Sequence, residues 1–207
     1  MNEPLHIAAL IMAAGASRRM NGIKQVLPWK ESNFLLETLK TVTRTKATKI
    51  EIILGANADN IMDTCRLKES KVPISINPNW SQGLGNSIAF GTDMLLKNTN
   101  KPDGILICLA DQPLLTTSYL NLLIDTFSSD RSKIVATKYG FKAGVPAVFP
   151  NLFFKELRQL QGDQGAKEMM QRNSNRMTIL DAQHQVTDID TLPEYERLLK
   201  EHNAYDI

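Results

Sequence analysis

A run of small residues broken by cations, Ala13-Ala14-Gly15-Ala16-Ser17-Arg18-Arg19-Met20-Asn21-Gly22-Ile23-Lys24, combines residue types that suit phosphate chemistry. Small side chains let a backbone approach a ligand closely, and consecutive N–H groups can cradle phosphate oxygens. Ala13, Ala14, Gly15, Ala16 and Ser17 are the cradle candidates. Arg19 and Lys24 could neutralise a polyphosphate, Arg through its planar fork and Lys as a mobile point charge. The loop is not a Walker A sequence, because Gly-x-x-x-x-Gly-Lys-Ser/Thr does not fit. Nor does the chain hold a dinucleotide fingerprint: its Gly-x-Gly, Gly83 and Gly85, has Ile88 in the place of the third glycine. Taken alone, the run also suits a glycine turn carrying solvated cations.

Carboxylates stand in two further segments. Asp111, in Leu109-Ala110-Asp111-Gln112-Pro113, follows a continuous apolar run and could present a carboxylate to Mg²⁺ at a strand end. The same Asp could simply end the strand in a turn. In Asp188-Ile189-Asp190-Thr191 the alternation puts both carboxylates on one face of an extended segment. Either could join Asp111 around a metal ion, or the cluster could cap the helix that Pro193 begins, with Thr191 as cap.

These groups lie far apart in sequence, so only a scaffold that gathers loops at one rim can unite them. Apolar runs at Leu5–Met12, Lys49–Leu54, Pro73–Ile76 and Gly104–Leu109 read as strands. Between them, Leu35, Leu39 and Val42 behind a Ser32 cap read as a helix. So do Ile61, Met62 and Cys65 behind Asp59, and Ile88, Leu95 and Leu96 after a loop at residues 77–83. Thr116 or Thr117 caps a helix with Leu120, Leu123, Ile124 and Phe127 on one side. Continuous rather than alternating apolar strands, separated by helices, predict an α/β fold: a mostly parallel sheet with helices on both faces, three layers in all. In the last third, strands are expected at Lys133–Lys138, Val145–Phe149 and Arg176–Leu180, with helices at Asn151–Leu160, Asp163–Arg172 and from Pro193. With no linker or repeat, residues 1–207 read as a single domain. Ligands of such sheets bind at the carboxyl ends of the strands, where these loops fall.

Composition narrows the partners. Lys and Arg number 24 against 22 Asp and Glu, a net charge of +2 without long basic runs, which argues against nucleic acid. No stretch reaches the roughly 18 apolar residues of a membrane span. The apolar run Ile7–Ala14 lacks the basic flank of a signal peptide. Cys65 and Cys108 sit in apolar patterns without a C-x-x-C pair, as in a reducing compartment. A cytoplasmic protein is expected. His6, His184 and His202 fall at a strand start, in a polar loop and in the tail, where structural or solvated roles are expected.

The motifs together carry a resemblance. Residues 13–24 are similar to the Leu-Ala-Ala-Gly-x-Ser-x-Arg-Met-Gly-x-x-Lys signature of the MobA-like NTP transferases, most of all to the molybdenum cofactor cytidylyltransferase (MocA-like) branch. Asn77-Pro78-Asn79-Trp80-Ser81-Gln82-Gly83-Leu84-Gly85-Asn86-Ser87 resembles that branch's second motif, and Leu109–Pro113 its third. Residues 144–149 and 162–167 resemble later blocks, and Asp188-Ile189-Asp190-Thr191 with Pro193 the closing one. The likeness spans roughly residues 6–200 in the family's order. Asn21 stands where Gly is usual, Met12 replaces Leu, Lys167 stands where Arg is common, and Leu192 is inserted before Pro193.

The resemblance implies a Rossmann-like sheet of the nucleotide-diphospho-sugar transferase type, with a nucleotide-binding part at about 1–115 and an acceptor-side part at about 116–207. It implies transfer of a nucleoside monophosphate, CMP from CTP being favoured by Ala13-Ala14, to the phosphate of molybdopterin, with pyrophosphate leaving. Arg19, Lys24 and Asp111 would be catalytic. Residues 13–17, Arg19, Lys24, Trp80, Gly83 and Ser87 would hold the nucleotide, and Asp111 with Asp190, or Asp188, would hold Mg²⁺. A molybdoenzyme or an accessory protein would be the macromolecular partner. The alternatives are a nucleotidyltransferase for a sugar or alcohol phosphate, and a non-catalytic cofactor-handling protein of the same fold.

Overall fold

A computed structural model describes residues 4–20, 22–97 and 100–205, with side chains to residue 202. Asn21 lies outside the described residues. The chain opens with β1 (Ile7–Ala13), a small hairpin of β2 (Pro28–Trp29) and β3 (Ser32–Asn33), and α1 (Phe34–Thr43). There follow β4 (Lys49–Leu54), α2 (Ala58–Thr64), β5 (Ile74–Ile76), α3 (Leu84–Leu96) and β6 (Gly104–Leu109). Next come α4 (Thr117–Ser129), β7 (Ile134–Tyr139), β8 (Lys142–Pro150), α5 (Phe154–Leu157), α6 (Lys167–Arg172), β9 (Met177–Leu180) and α7 (Leu192–Tyr205).

The main sheet has seven strands in the order β5-β4-β1-β6-β8-β7-β9. The strands are parallel except at β8, which runs antiparallel to both β6 and β7. This is the single, mostly parallel α/β unit expected, with β8 as the exception. Alternate residues of each central strand feed opposite layers. Ile7, Ala9, Ile11, Ile52, Leu54 and Leu106 pack against α1, α2 and α4. Ala8, Leu10, Ile53, Ile105 and Ile107 pack against α3, α5 and α6. Burial on both faces explains why β1, β4 and β6 read as unbroken apolar runs.

Register decides where the loops emerge. Ala13 of β1 pairs with Leu54, and Met12 with Leu109, so the three strands end at one level. The chain leaves β1 for β4 on one side and β6 lies on the other, so β1 and β6 bound a crevice at their carboxyl ends.

Local expectations shift in four places. The α1 cap is Asn33, whose side chain accepts the Leu36 N–H at 2.9 Å, and not Ser32, which pairs in the hairpin. At α2 the cap position is Asn57 at φ 57°, so Asp59 lies within the first turn, near the N-terminal partial charge of the helix. Asn151–Leu160 breaks into a 3₁₀ turn and the one-turn α5, and helix in the Asp163 segment begins only at Lys167. Glycines at 162 and 165 adopt positive φ, which delays that helix. His202 takes the structural one of its two expected roles: its ring lies 4.7 Å from that of Trp29, beside a small third core where α7 covers the hairpin with Tyr195 and Leu198.

Both cysteine thiols are free and buried in one core, and burial pushes Cys108 up to about 12. Among the described residues no helix is long and apolar enough to cross a membrane.

Candidate active site

The crevice holds a cleft of ≈ 440 Å³. The first loop, the 80–87 segment, Asp111, Asp163 and Asp190 all line it. Five stretches distant in sequence therefore meet at one rim.

At the first loop, Ala14, Gly15, Ala16, Ser17, Arg19 and Lys24 line the cleft. Ala13 does not: it ends β1 in the core at 2% exposure, its side chain turned away from the cleft by the strand alternation. The loop is shaped by Gln25, a residue that its position next to Lys24 did not single out. Gln25 is buried, and its amide donates to the carbonyl oxygens of Ala13 at 3.0 Å and Gly15 at 2.9 Å. Ser17 takes a positive φ of 53°, and its hydroxyl accepts the Lys24 N–H at 3.0 Å. With two carbonyls tied back by one amide, the loop is braced in the conformation that frames the cleft.

Lys24 is the electrostatic centre. Its side chain is only 9% exposed, and Nζ lies 2.8 Å from Asp111 Oδ2 and 2.7 Å from Asp190 Oδ1. Arg19, largely exposed, reaches Asp190 Oδ2 at 2.6 Å. Burial alone would lower the Lys24 ammonium, but the Asp111 charge and bonds to both carboxylates hold it above the ordinary lysine value. Burial would likewise raise Asp190, yet Lys24 and Arg19 outweigh it and hold its carboxyl below the ordinary value. Lys24 and Asp190 are therefore both charged at neutral pH.

The closing segment is positioned from both sides. Ile189 N–H donates to the Asp111 carbonyl at 3.3 Å, and Glu194 accepts the N–H groups of Asp190 at 2.9 Å and Thr191 at 2.8 Å. Thr191 and Glu194 thus form a capping box at α7, and the inserted Leu192 is absorbed as the first helical residue. Asp190 faces the cleft, whereas Asp188 does not line it and accepts from Gln112 at 2.7 Å. This separates the two carboxylates that spacing left equivalent.

Trp80, Gly83 and Ser87 line the opposite wall. Ser87 is 2% exposed, and its hydroxyl accepts from Asn77 at 3.1 Å. Gly55 lets Trp80 sit against Ala14, since an added Cβ would lie 2.5 Å from the Trp80 Cβ. Gly83 has φ 102° and ψ 177°, a conformation reserved for glycine, and a Cβ there would lie 2.4 Å from the Gly162 carbonyl carbon. Gly83→Ala is expected to cost about 1–3 kcal/mol and to part the 80–87 wall from Gly162 and Asp163. A thermal melt checks it, and an unchanged midpoint counts against the close packing. Asp163, which the sequence left between an acceptor role and a helix start, lines the cleft from the C-terminal half.

The donor set suits a hard divalent cation. Asp111 Oδ1 is buried without a protein hydrogen-bond partner, beside Asp190, which shares Lys24 with it. Among the described residues no group of three His, Cys, Asp or Glu is arranged to hold a metal. Asp111 and Asp190 are the two carboxylates that could face such a cation.

A family model described as the MobA-like NTP transferase domain matches residues 9–177. Nicotine blue oxidoreductase of Paenarthrobacter nicotinovorans is 26% identical, over 93% of this chain and 96% of that protein. Purine catabolism protein PucB of Bacillus subtilis is 28% identical, over 95% of this chain and 97% of its own. The crystal structure of Rv0371c from Mycobacterium tuberculosis superposes with a TM-score of 0.81 at 25% identity, over 96% of this chain and 100% of that one. Its complex with manganese gives a TM-score of 0.76 at 24% identity, over 94% and 98%.

Proposed function

The chain belongs to the MobA-like NTP transferase family, and on that premise we propose that it transfers CMP from CTP to the phosphate of a molybdopterin-type acceptor. The observation that carries the reading is Lys24 bonded to both Asp111 and Asp190 in a cleft framed by the small-residue loop. Cations and carboxylates gathered beside a loop of small residues suit the charge neutralisation that phosphoryl transfer needs. A Ser-His-Asp or Cys-His arrangement is not needed, because the acceptor phosphate is itself the nucleophile.

In this reading an acceptor phosphate oxygen bonds to the α-phosphorus, the bond from that phosphorus to the bridging oxygen breaks, and pyrophosphate departs. The loop from Ala14 to Ser17 holds the triphosphate with its backbone. Lys24 and Arg19 neutralise charge on the phosphates and on the departing pyrophosphate. Asp111 and Asp190 would hold a divalent cation such as Mg²⁺, which would supply charge neutralisation and orientation of the triphosphate. Trp80, Gly83 and Ser87 form the wall nearest the base. Residues up to about 115 carry the nucleotide side, and those from about 116, with Asp163, face the acceptor. The relative bound to manganese supports the use of a divalent cation. The paired Ala13-Ala14 and the closing Asp block support the cytidylyl, molybdopterin assignment. A cytoplasmic setting and hand-over to a molybdoenzyme or its accessory protein belong to the same proposal.

Pyrophosphate release measured with each of four NTPs and Mg²⁺, with and without molybdopterin, tests it. Release that requires both CTP and molybdopterin is expected. Release with another acceptor moves the assignment to a sugar or alcohol phosphate, and no release under any condition favours a cofactor-handling protein.

A further inference from the structure

The Leu109–Pro113 motif carries a second polar side chain that the chemistry above leaves unused. Gln112 is 1% exposed, directly behind Asp111. Its Nε2 donates to Asp188 Oδ1 at 2.7 Å, contacts the Tyr139 hydroxyl, and lies 3.3 Å from the Val145 carbonyl oxygen. Its other end is different: Oε1 is buried with no protein hydrogen-bond partner. So is Thr38 Oγ1, on α1. Both residues line one cavity of ≈ 10 Å³, walled otherwise by groups such as Val42, Leu115 and Leu120. That volume is about one water's worth, and polar atoms so deeply buried are normally satisfied.

We propose that Gln112 is a positioning residue whose amide N–H clamps the Asp188–Asp190 segment against the Asp111 loop, its carbonyl oxygen being fixed by one buried water shared with Thr38. The clamp acts at Asp188, an exposed residue with one carboxylate oxygen on the buried amide. Asp190 is two residues further along the same extended stretch. With Asp188 held, and Ile189 N–H on the Asp111 carbonyl, alternation points Asp190 back toward Lys24. Without Gln112 the segment is left with that backbone bond of 3.3 Å and the Lys24 bridge from Asp111 to Asp190, and Asp188 itself loses its hold on the Asp111 loop. The functional consequence rests on the reading that Asp111 and Asp190 act together in nucleotidyl transfer, while the clamp itself does not.

Gln112→Leu, Asp188→Leu and Asp188→Asn test the clamp. Amide exchange at Ile189 is expected to quicken about 10-fold or more in either leucine variant, because local opening is no longer resisted. Asp188→Asn keeps an oxygen for the amide to reach and is expected to exchange near the wild-type rate. In pyrophosphate release, the leucine variants should lose about 10-fold in kcat with the NTP KM changed less than about 3-fold, and Asp188→Asn should restore kcat. The double leucine variant should be no worse than either single one, as for two ends of one interaction. Unchanged Ile189 exchange in folded Gln112→Leu overturns the clamp, as does an Asp188→Asn variant as impaired as Asp188→Leu. If Gln112→Leu does not fold, Asp188→Leu carries the same comparison from an exposed position. A high-resolution crystal structure should show one ordered water bonded to Thr38 Oγ1 and Gln112 Oε1; a direct Thr38–Gln112 bond or a dry cavity overturns that part. Wild-type protein that releases no pyrophosphate would refute the nucleotidyl-transfer reading while exchange and crystallography still decide the clamp.

Discussion

Replacing Asp111 by alanine is expected to lower turnover by about 10²-fold or more while the fold stays intact, the usual consequence of losing a ligand to a catalytic cation. The fold should survive because what Asp111 contributes to packing is its backbone. Its carbonyl accepts Ile189 N–H, and its neighbours Ala110 and Gln112 are the buried residues. Lys24 keeps Asp190 as partner in the variant, so the ammonium is not stranded. Steady-state pyrophosphate release together with a thermal melt checks both halves. Near-wild-type turnover sinks the metal assignment, and a collapsed melt would make Asp111 a residue of the fold instead.

Lys24→Ala should be comparably damaging and less benign to the fold. The ammonium is nearly inaccessible, and its removal leaves Asp111 and Asp190 adjacent, with Arg19 still paired to Asp190. Stripping one partner from a buried ion pair costs about 3–5 kcal/mol, and solvent access to both carboxylates brings the expectation here to about 1–3 kcal/mol. Loss of phosphate neutralisation should lower kcat/KM for the NTP by about 10-fold or more. Unchanged kinetics would remove Lys24 from the phosphate role. The pH dependence has a definite sign. The raised Lys24 value contributes stability that is complete below the ordinary lysine range and fades as pH climbs through the raised value. The depressed Asp190 value contributes stability that is complete above the ordinary carboxylate range and is lost as pH falls through the depressed value. The gap in melting temperature between wild type and Lys24→Ala should thus be widest near neutrality and narrow below about pH 4. A gap that persists undiminished in acid would mean that the carboxylates are not what Lys24 stabilises.

The central strands were legible because burial on both faces leaves a plain mark. Lys49–Leu54 and Gly104–Leu109 are strands from end to end, as read from their apolar runs. Helix starts were less legible. Ser32 and Asp59 are good cap residues by type, but the hairpin of β2 and β3 ties up Ser32, and a left-handed Asn57 turns the chain before Asp59 is reached. The helix expected at Asp163–Arg172 begins only at Lys167, since Gly162 and Gly165 adopt positive φ just before it.

The sequence by itself determined the strand–helix alternation, the small-residue loop with Arg19 and Lys24 after β1, and the strand-end carboxylate at Asp111. All of these depend on local composition and on the period of burial. The tertiary structure alone decided that Asp190 rather than Asp188 faces the cleft, that Ala13 belongs to the core, and that Gln25 and Gln112 brace the two loops. The reason is distance along the chain. Lys24 meets its carboxylates across 87 and 166 residues, and Gln112 meets Asp188 across 76. Sequence separations of that size leave no local pattern, and only the parallel register of β1 and β6 brings the groups to one rim.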